Sequence, residues 1–165
     1  MSGKGVIGVE SAAYTIQDQM SNTSMFSEQN LKALKNTMTV TEFKKGTSIY
    51  WEGDPSDKLY YVVKGRVKLF KSAYDGKDLV LHYFTPNDLF GEIGCFGYEE
   101  YSFTANSVTD CTIGVIPEKE VEALLAGNPG LSFEFMKWIG LMNQYTQIKM
   151  RDLLFYGKTE RWPPP

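Results

Sequence analysis

The stretch KLYYVVKGRVKLFKSAYDGKDLVLHYF, Lys58 to Phe84, decides the class of fold. It holds three runs of β-branched and aromatic residues, Lys58 to Lys64, Arg66 to Ser72 and Lys77 to Phe84, cut by Lys64-Gly65 and Asp75-Gly76. An Asp-Gly pair between such runs supplies the positive φ angles that a tight hairpin needs. Working outward, Thr39 to Phe43 and Thr47 to Trp51 read as earlier strands, and Ser102 to Ser107 and Cys111 to Ile116 as later ones. Lys45-Gly46, Gly53-Asp54-Pro55, Pro86-Asn87-Asp88 and Thr109-Asp110 punctuate them. Seven or eight short strands at this spacing predict a closed or double-sheet β architecture, because a flat sheet would leave long edges unpaired.

Helices are expected on both sides of this block. Ser27 reads as the N-cap of a short helix over Glu28 to Met38, with Leu31 and Leu34 on one face. Pro117 opens another over Glu118 to Leu125, and Asn128-Pro129-Gly130 breaks it. Leu131 to Phe155 then runs uninterrupted apart from Gly140, enough for about seven turns. Two apolar stripes can be traced on it. Phe135, Ile139, Met142, Thr146, Lys149 and Leu153 make one; Trp138, Leu141, Tyr145, Ile148 and Phe155 make the other. A helix with two apolar faces needs two things to pack on, here its own β domain and a second copy of the chain. The simpler alternative is one broad face buried within a single subunit.

Composition narrows the function. The 165 residues are 42% hydrophobic and 22% charged, as in a folded domain, and the net charge of −3 suits no stand-alone nucleic-acid binder. Two cysteines, Cys95 and Cys111, are too few for a disulfide framework or a thiolate zinc site. The longest apolar run, Leu59 to Val63, is too short to span a bilayer, and no apolar leader follows Met1. A cytoplasmic protein without membrane partners is expected. One histidine, His82, cannot assemble the two or three imidazoles of a metalloenzyme built on a β-barrel, and no nucleophile elbow or Walker loop is present. Enzyme activity is not expected. His82 reads as a packed or surface residue, and Cys95 as inert core rather than an oxidant sensor.

Gly46, Trp51-Glu52-Gly53-Asp54 and Leu59 to Leu69 resemble the opening of the cyclic-nucleotide-binding β-roll, and Phe90-Gly91-Glu92-Ile93-Gly94-Cys95-Phe96 resembles its phosphate-binding cassette. With the long helix, the order is similar to the effector domain of CRP/FNR bacterial transcription regulators over roughly Ser24 to Arg161. The resemblance implies a mainly β fold with α: a double-stranded β-helix (β-roll) followed by a dimerisation helix. It implies a loose arm over 1–23, the effector domain with its flanking helices over 24–126 and the long helix over 127–157. The tail over 158–165 stands where relatives begin a DNA-binding helix-turn-helix. Pro163-Pro164-Pro165 cannot continue a helix; a one-base slip converting Arg-Leu-Ala-Ser-Thr codons to Arg-Trp-Pro-Pro is one expected origin of the tail, beside a deliberately shortened chain and a natural short protein.

From the same resemblance, Gly91, Glu92, Ile93, Gly94 and Cys95 are expected at a ligand, with Tyr101 and Ser102 opposite, Tyr83 on the wall, and Thr146 and Gln147 on the helix. Phe135, Ile139, Met142, Tyr145, Lys149 and Leu153 are expected between two copies. In cyclic-AMP-binding members an arginine pairs with the phosphate immediately before a Ser or Thr; here Tyr101 precedes Ser102, and no Arg or Lys lies between Ile93 and Ala105. Losing a charge-assisted bond worth about 1.5–3 kcal/mol weakens such binding at least tens of fold. The effector expected is therefore an aromatic or less charged molecule, held by Tyr101, Phe103, Tyr83 and Tyr145. No resident cofactor is expected, since the iron–sulfur clusters of FNR relatives need four cysteines. DNA is a partner only for a form carrying the helix-turn-helix. Two alternatives stand beside this reading: a cyclic-nucleotide module of another signalling protein, and a ligand-free dimerisation domain.

Overall fold

The computed structural model describes residues 20–157; the expectations for 1–19 and for the tail over 158–165 lie outside the described residues. Eight strands form, β1 (Thr39–Phe43), β2 (Ser48–Tyr50), β3 (Asp57–Lys64), β4 (Val67–Ser72), β5 (Asp78–Phe84), β6 (Leu89–Ile93), β7 (Thr104–Ser107) and β8 (Cys111–Pro117). They make two four-stranded antiparallel sheets, ordered β1-β8-β3-β6 and β2-β7-β4-β5. This is a β-roll. β2 and β7 are shorter than the runs read from the sequence, and β6 was not among those runs. Its two glycine-spaced turns of sequence read as a cassette, yet Leu89 to Ile93 pair with Tyr61 to Asp57 along the sheet edge.

The run at Leu59 shows why both faces of β3 had to be apolar. Successive side chains of a strand point to opposite faces. Leu59 and Tyr61 enter a core shared with the helices, whereas Tyr60 and Val62 enter a core inside the roll. Gly65 closes the β3–β4 turn at φ +100°, where a Cβ would stand 2.5 Å from the Asp110 carbonyl oxygen. No other residue type fits there.

Among the described residues three α-helices flank the roll: α1 (Glu28–Lys35), α2 (Glu118–Gly127) and α3 (Pro129–Asp152). Ser27 caps α1 by accepting from the Asn30 amide, and the helix stops at Asn36, short of Met38. Asn128 caps α3 through the Leu131 amide with Pro129 in the first turn, and the α-helical part gives way to a π-helical turn over Leu153–Gly157. The 24 residues of α3 span about 36 Å.

Buried Glu134 of α3 accepts from the Ser27 amide (2.9 and 3.0 Å) and from the Asn30 side chain (2.7 Å), docking the start of α1. The arm expected to be loose up to residue 23 is fastened before that. Asn22 donates from its backbone to Asp88 Oδ1 (2.7 Å), while its side chain exchanges bonds of 2.7 and 2.8 Å with the Leu89 backbone.

The two stripes read on the long helix merge. Phe135 from one and Trp138 and Tyr145 from the other are buried against the roll of the same chain, and Met142 bridges both cores. Phe135 and Tyr145, expected between copies, are thus spent inside one subunit. Spacings of three and four residues from Leu131 through Tyr145 make a single face, which the two-stripe reading had divided. Outside are Phe133, Met136, Ile139 and Met150 of α3 and Leu154 and Phe155 of the turn that follows it, each at least 37% exposed. Lys149 and Leu153 lie at the boundary, half-buried. No helix among the described residues is long and apolar enough to cross a membrane.

Candidate functional site

Packing a rigid rod across a curved sheet leaves a gap. Here it is a cavity of about 630 Å³ between the inner face of β4–β5, the 90–103 segment and α3. Leu69, His82, Phe84, Phe90, Glu92, Ser102 and Phe103 line it from the roll; Met136, Trp138, Met142, Asn143, Tyr145 and Thr146 line it from the helix.

Four of the ten expected ligand residues stand on this wall: Gly91, Glu92, Ser102 and Thr146. Gly91 takes φ +113°, and a Cβ on it would press to 3.1 Å from the Lys58 carbonyl oxygen, so its role is close approach to β3. Glu92 is already engaged. Its carboxylate accepts from the Ser102 amide (2.6 Å) and the Ser102 hydroxyl (2.8 Å), fastening the strand that follows the cassette. Thr146 donates to the Met142 carbonyl of its own helix (3.0 Å).

The other six lie elsewhere. Ile93 is fully buried on the helix side of the sheet. Gly94 backs onto Glu118, and the Cys95 amide donates to Glu118 Oε1 (2.9 Å). That amide is one the family resemblance offered to a ligand. Cys95 itself is exposed, not core, and partial burial together with Glu122 and Glu118 pushes its thiol pKa up, away from a reactive thiolate. Tyr83 points outward beneath the Arg66 guanidinium, 4.2 Å from its ring, because it alternates with His82 and Phe84 along β5. Gln147 is exposed on α3 and does not line the cavity.

Tyr101 is the largest departure. It fills the roll instead of facing the cavity, 3% exposed, with its hydroxyl donating to the Lys58 carbonyl (3.0 Å). Its ring stacks on Tyr50 at 3.8 Å, and the series continues through Tyr60, Phe90 and Phe84 at centroid spacings of 5.4, 5.2 and 5.0 Å. Burial, then its contacts with Tyr60 and Tyr50, keep the phenol protonated. An apolar stack therefore occupies the place where a phosphate-binding arginine would emerge. Among the described residues, Glu92 is the only formally charged side chain lining the cavity. Phe103 and Tyr145 do line it.

Several wall residues were not picked out from the sequence. Phe84 reads only as the end of a strand, Phe90 as the opening of the cassette and Trp138 as part of an apolar stripe. His82 is packed, but on the cavity wall: it stacks on Tyr145 (5.0 Å, 22°) and lies 4.3 Å from the ring of Phe84. Burial, aided by Lys149, lowers its pKa from 6.5 to about 3, so it is neutral at ordinary pH. Away from the cavity, ligand atoms of Cys95, Glu118 and Glu122 approach within 4.8 Å of one another, the one grouping among the described residues with metal-ligand chemistry. Glu118 there already serves the Cys95 amide.

Comparison with known proteins agrees with this architecture. The cyclic nucleotide-binding domain family matches residues 40–128. The "Anaerobic regulatory protein" of Bacillus subtilis is 33% identical over 139 residues, 84% of this chain and 58% of that protein. The "CRP-like cAMP-activated global transcriptional regulator" of Mycobacterium tuberculosis is 26% identical over 76% of this chain and 56% of its own. The chain thus spans somewhat over half the length of these relatives. The catabolite activator protein of Thermus thermophilus shares the fold, with a TM-score of 0.68 at 22% identity over 81% of this chain and 62% of its own. With two antiparallel sheets rolled together, a glycine-bearing edge strand and a long closing helix similar to those of CRP/FNR regulators, this chain belongs to the cyclic nucleotide-binding domain family.

Proposed function

We propose that the chain is the effector-sensing and dimerisation part of a CRP/FNR-type transcription regulator whose effector is not a cyclic nucleotide. The observation that carries this reading is the cavity, whose walls are shared by the roll and α3 and carry no cation among the described residues. A molecule bound there touches both, so its binding energy differs between helix positions, and that difference biases the helix. The exposed line of Met136, Ile139, Met150 and Leu154, continued by Asn143 and Gln147, follows the three–four spacing of a coiled-coil seam and suits a second copy. A pair of such chains, each continued by a helix-turn-helix, would read a palindromic site in the major groove in the cytoplasm.

Calorimetry with millimolar cyclic AMP and cyclic GMP tests the ligand. No heat is expected from folded protein; saturable binding of either would overturn the exclusion. Sedimentation equilibrium tests the seam, which a monomer at high micromolar concentration would refute. A ligand-free dimerisation domain is the second reading, favoured by the Glu92–Ser102 pair, which satisfies the cassette carboxylate without any ligand.

A further inference from the structure

We propose that His82 is the polar anchor of the cavity and that the cavity takes an uncharged, planar heteroaromatic molecule with adjacent hydrogen-bond donor and acceptor. This rests on the reading of the cavity as the effector site and names the ligand chemistry.

The placement of His82 comes from an irregularity in the sheet. Leu69 pairs with His82 but Phe70 pairs with Val80, so Leu81 is an extra residue on β5. A bulge of this kind breaks alternation. Leu81 and His82 consequently both reach the cavity, while Tyr83 goes outward. His82 is 8% exposed, and its imidazole makes no hydrogen bond among the described residues. The Trp138 indole N–H, on the facing wall, is buried and has no partner among the described residues. Buried polar groups without partners are few in native proteins and point to a missing one. That indole, with the neutral His82 imidazole opposite it on the wall of the same cavity, marks where a ligand's polar atoms go. A neutral imidazole offers one donor and one acceptor, and the indole offers a donor.

Charge and shape select the rest. Glu92 on the wall opposes an anion. Lys149 acts on His82 from the helix side and opposes a cation there. A neutral molecule meets neither penalty. The stacked rings of Phe84 and Phe90 (5.0 Å, 16°) and of His82 and Tyr145 present flat faces, which suit a flat guest. The volume of about 630 Å³ admits a bicyclic or tricyclic ring system with substituents.

His82 is the only histidine of the chain, so labelling histidine with nitrogen-15 gives one imidazole to observe. The full chain is titrated with 2-quinolinone, a neutral lactam; with quinoline-2-carboxylate, an anion of similar shape; and with cyclic AMP. The lactam is expected to shift both imidazole nitrogens at millimolar concentration and to bind at least tenfold more tightly than the carboxylate. His82→Phe, which keeps the stacking but has no nitrogen, is expected to bind the lactam at least tenfold more weakly, a difference of about 1.4 kcal/mol. Trp138→Phe gives an independent loss in the same direction. The wild-type shifts need no variant to fold. An unmoved imidazole, or equal affinity for lactam and carboxylate, overturns the proposal. Binding of cyclic AMP without the lactam overturns the ligand class and leaves the cavity as the effector site. If none of the three binds, the proposal and the effector reading fall together.

Discussion

Replacing His82 by Phe removes one titration and nothing else of that kind, because no second histidine exists. In the folded chain burial holds the imidazole at a pKa of about 3, against 6.5 when exposed. Above pH 6.5 both states are neutral and the group has no pH effect. Below it the unfolded chain takes up a proton that the folded chain refuses, so stability falls as pH drops from 6.5 towards 3. The slope is about 1.4 kcal/mol per pH unit, which amounts to roughly 3 kcal/mol between about pH 7.5 and about pH 4.5. Asp88 has its carboxyl raised by burial and contributes the opposite slope, but it is present in both proteins and cancels in the difference. Urea unfolding at a series of pH values, wild type beside His82→Phe, measures that difference. The wild type is expected to lose more stability on acidification than the variant, by roughly 3 kcal/mol at the acid end. Parallel curves would refute the burial of a neutral His82 in this cavity.

Gly65→Ala is expected to cost more than about 3 kcal/mol, since a positive φ combines with backbone contact at 2.5 Å. Gly76→Ala, in open space at φ +80°, is expected to cost only about 1 kcal/mol; thermal melts of the pair distinguish the two. Glu134→Ala strands the Ser27 amide and the Asn30 side chain and is expected to lose about 2 kcal/mol in urea, with hydrogen exchange accelerated first in α1. Met150→Glu, at a 55% exposed position, is expected to change monomer stability by less than about 0.5 kcal/mol yet to abolish the dimer in sedimentation equilibrium.

The strands were legible because their signals are local. Asp75-Gly76 sits at its turn with Gly76 at φ +80°, Ser27 caps α1, and the alternation of Leu59 to Val62 between two cores follows from a period of two. The site was legible only in part. Glu92 and Ser102 reach the cavity wall, but they meet each other there, a contact across ten residues that spacing does not reveal. Tyr101 looked like a wall residue because it stands where an arginine would project. It turned inward because an uncharged ring gains more by stacking on Tyr50 than by facing the cavity.

His82 gave no sign in sequence, since a lone histidine on a strand has no partner pattern; a bulge of one residue opposite Leu69 aimed it. By itself the order of residues determined the roll, its turns, the closing helix and the lack of Arg or Lys between Ile93 and Ala105, all consequences of local backbone preference and side-chain type. Which face of α3 the roll buries, and which polar groups are left unpartnered beneath it, was decided only by tertiary packing. Burial and hydrogen-bond satisfaction depend on neighbours brought together from distant parts of the chain.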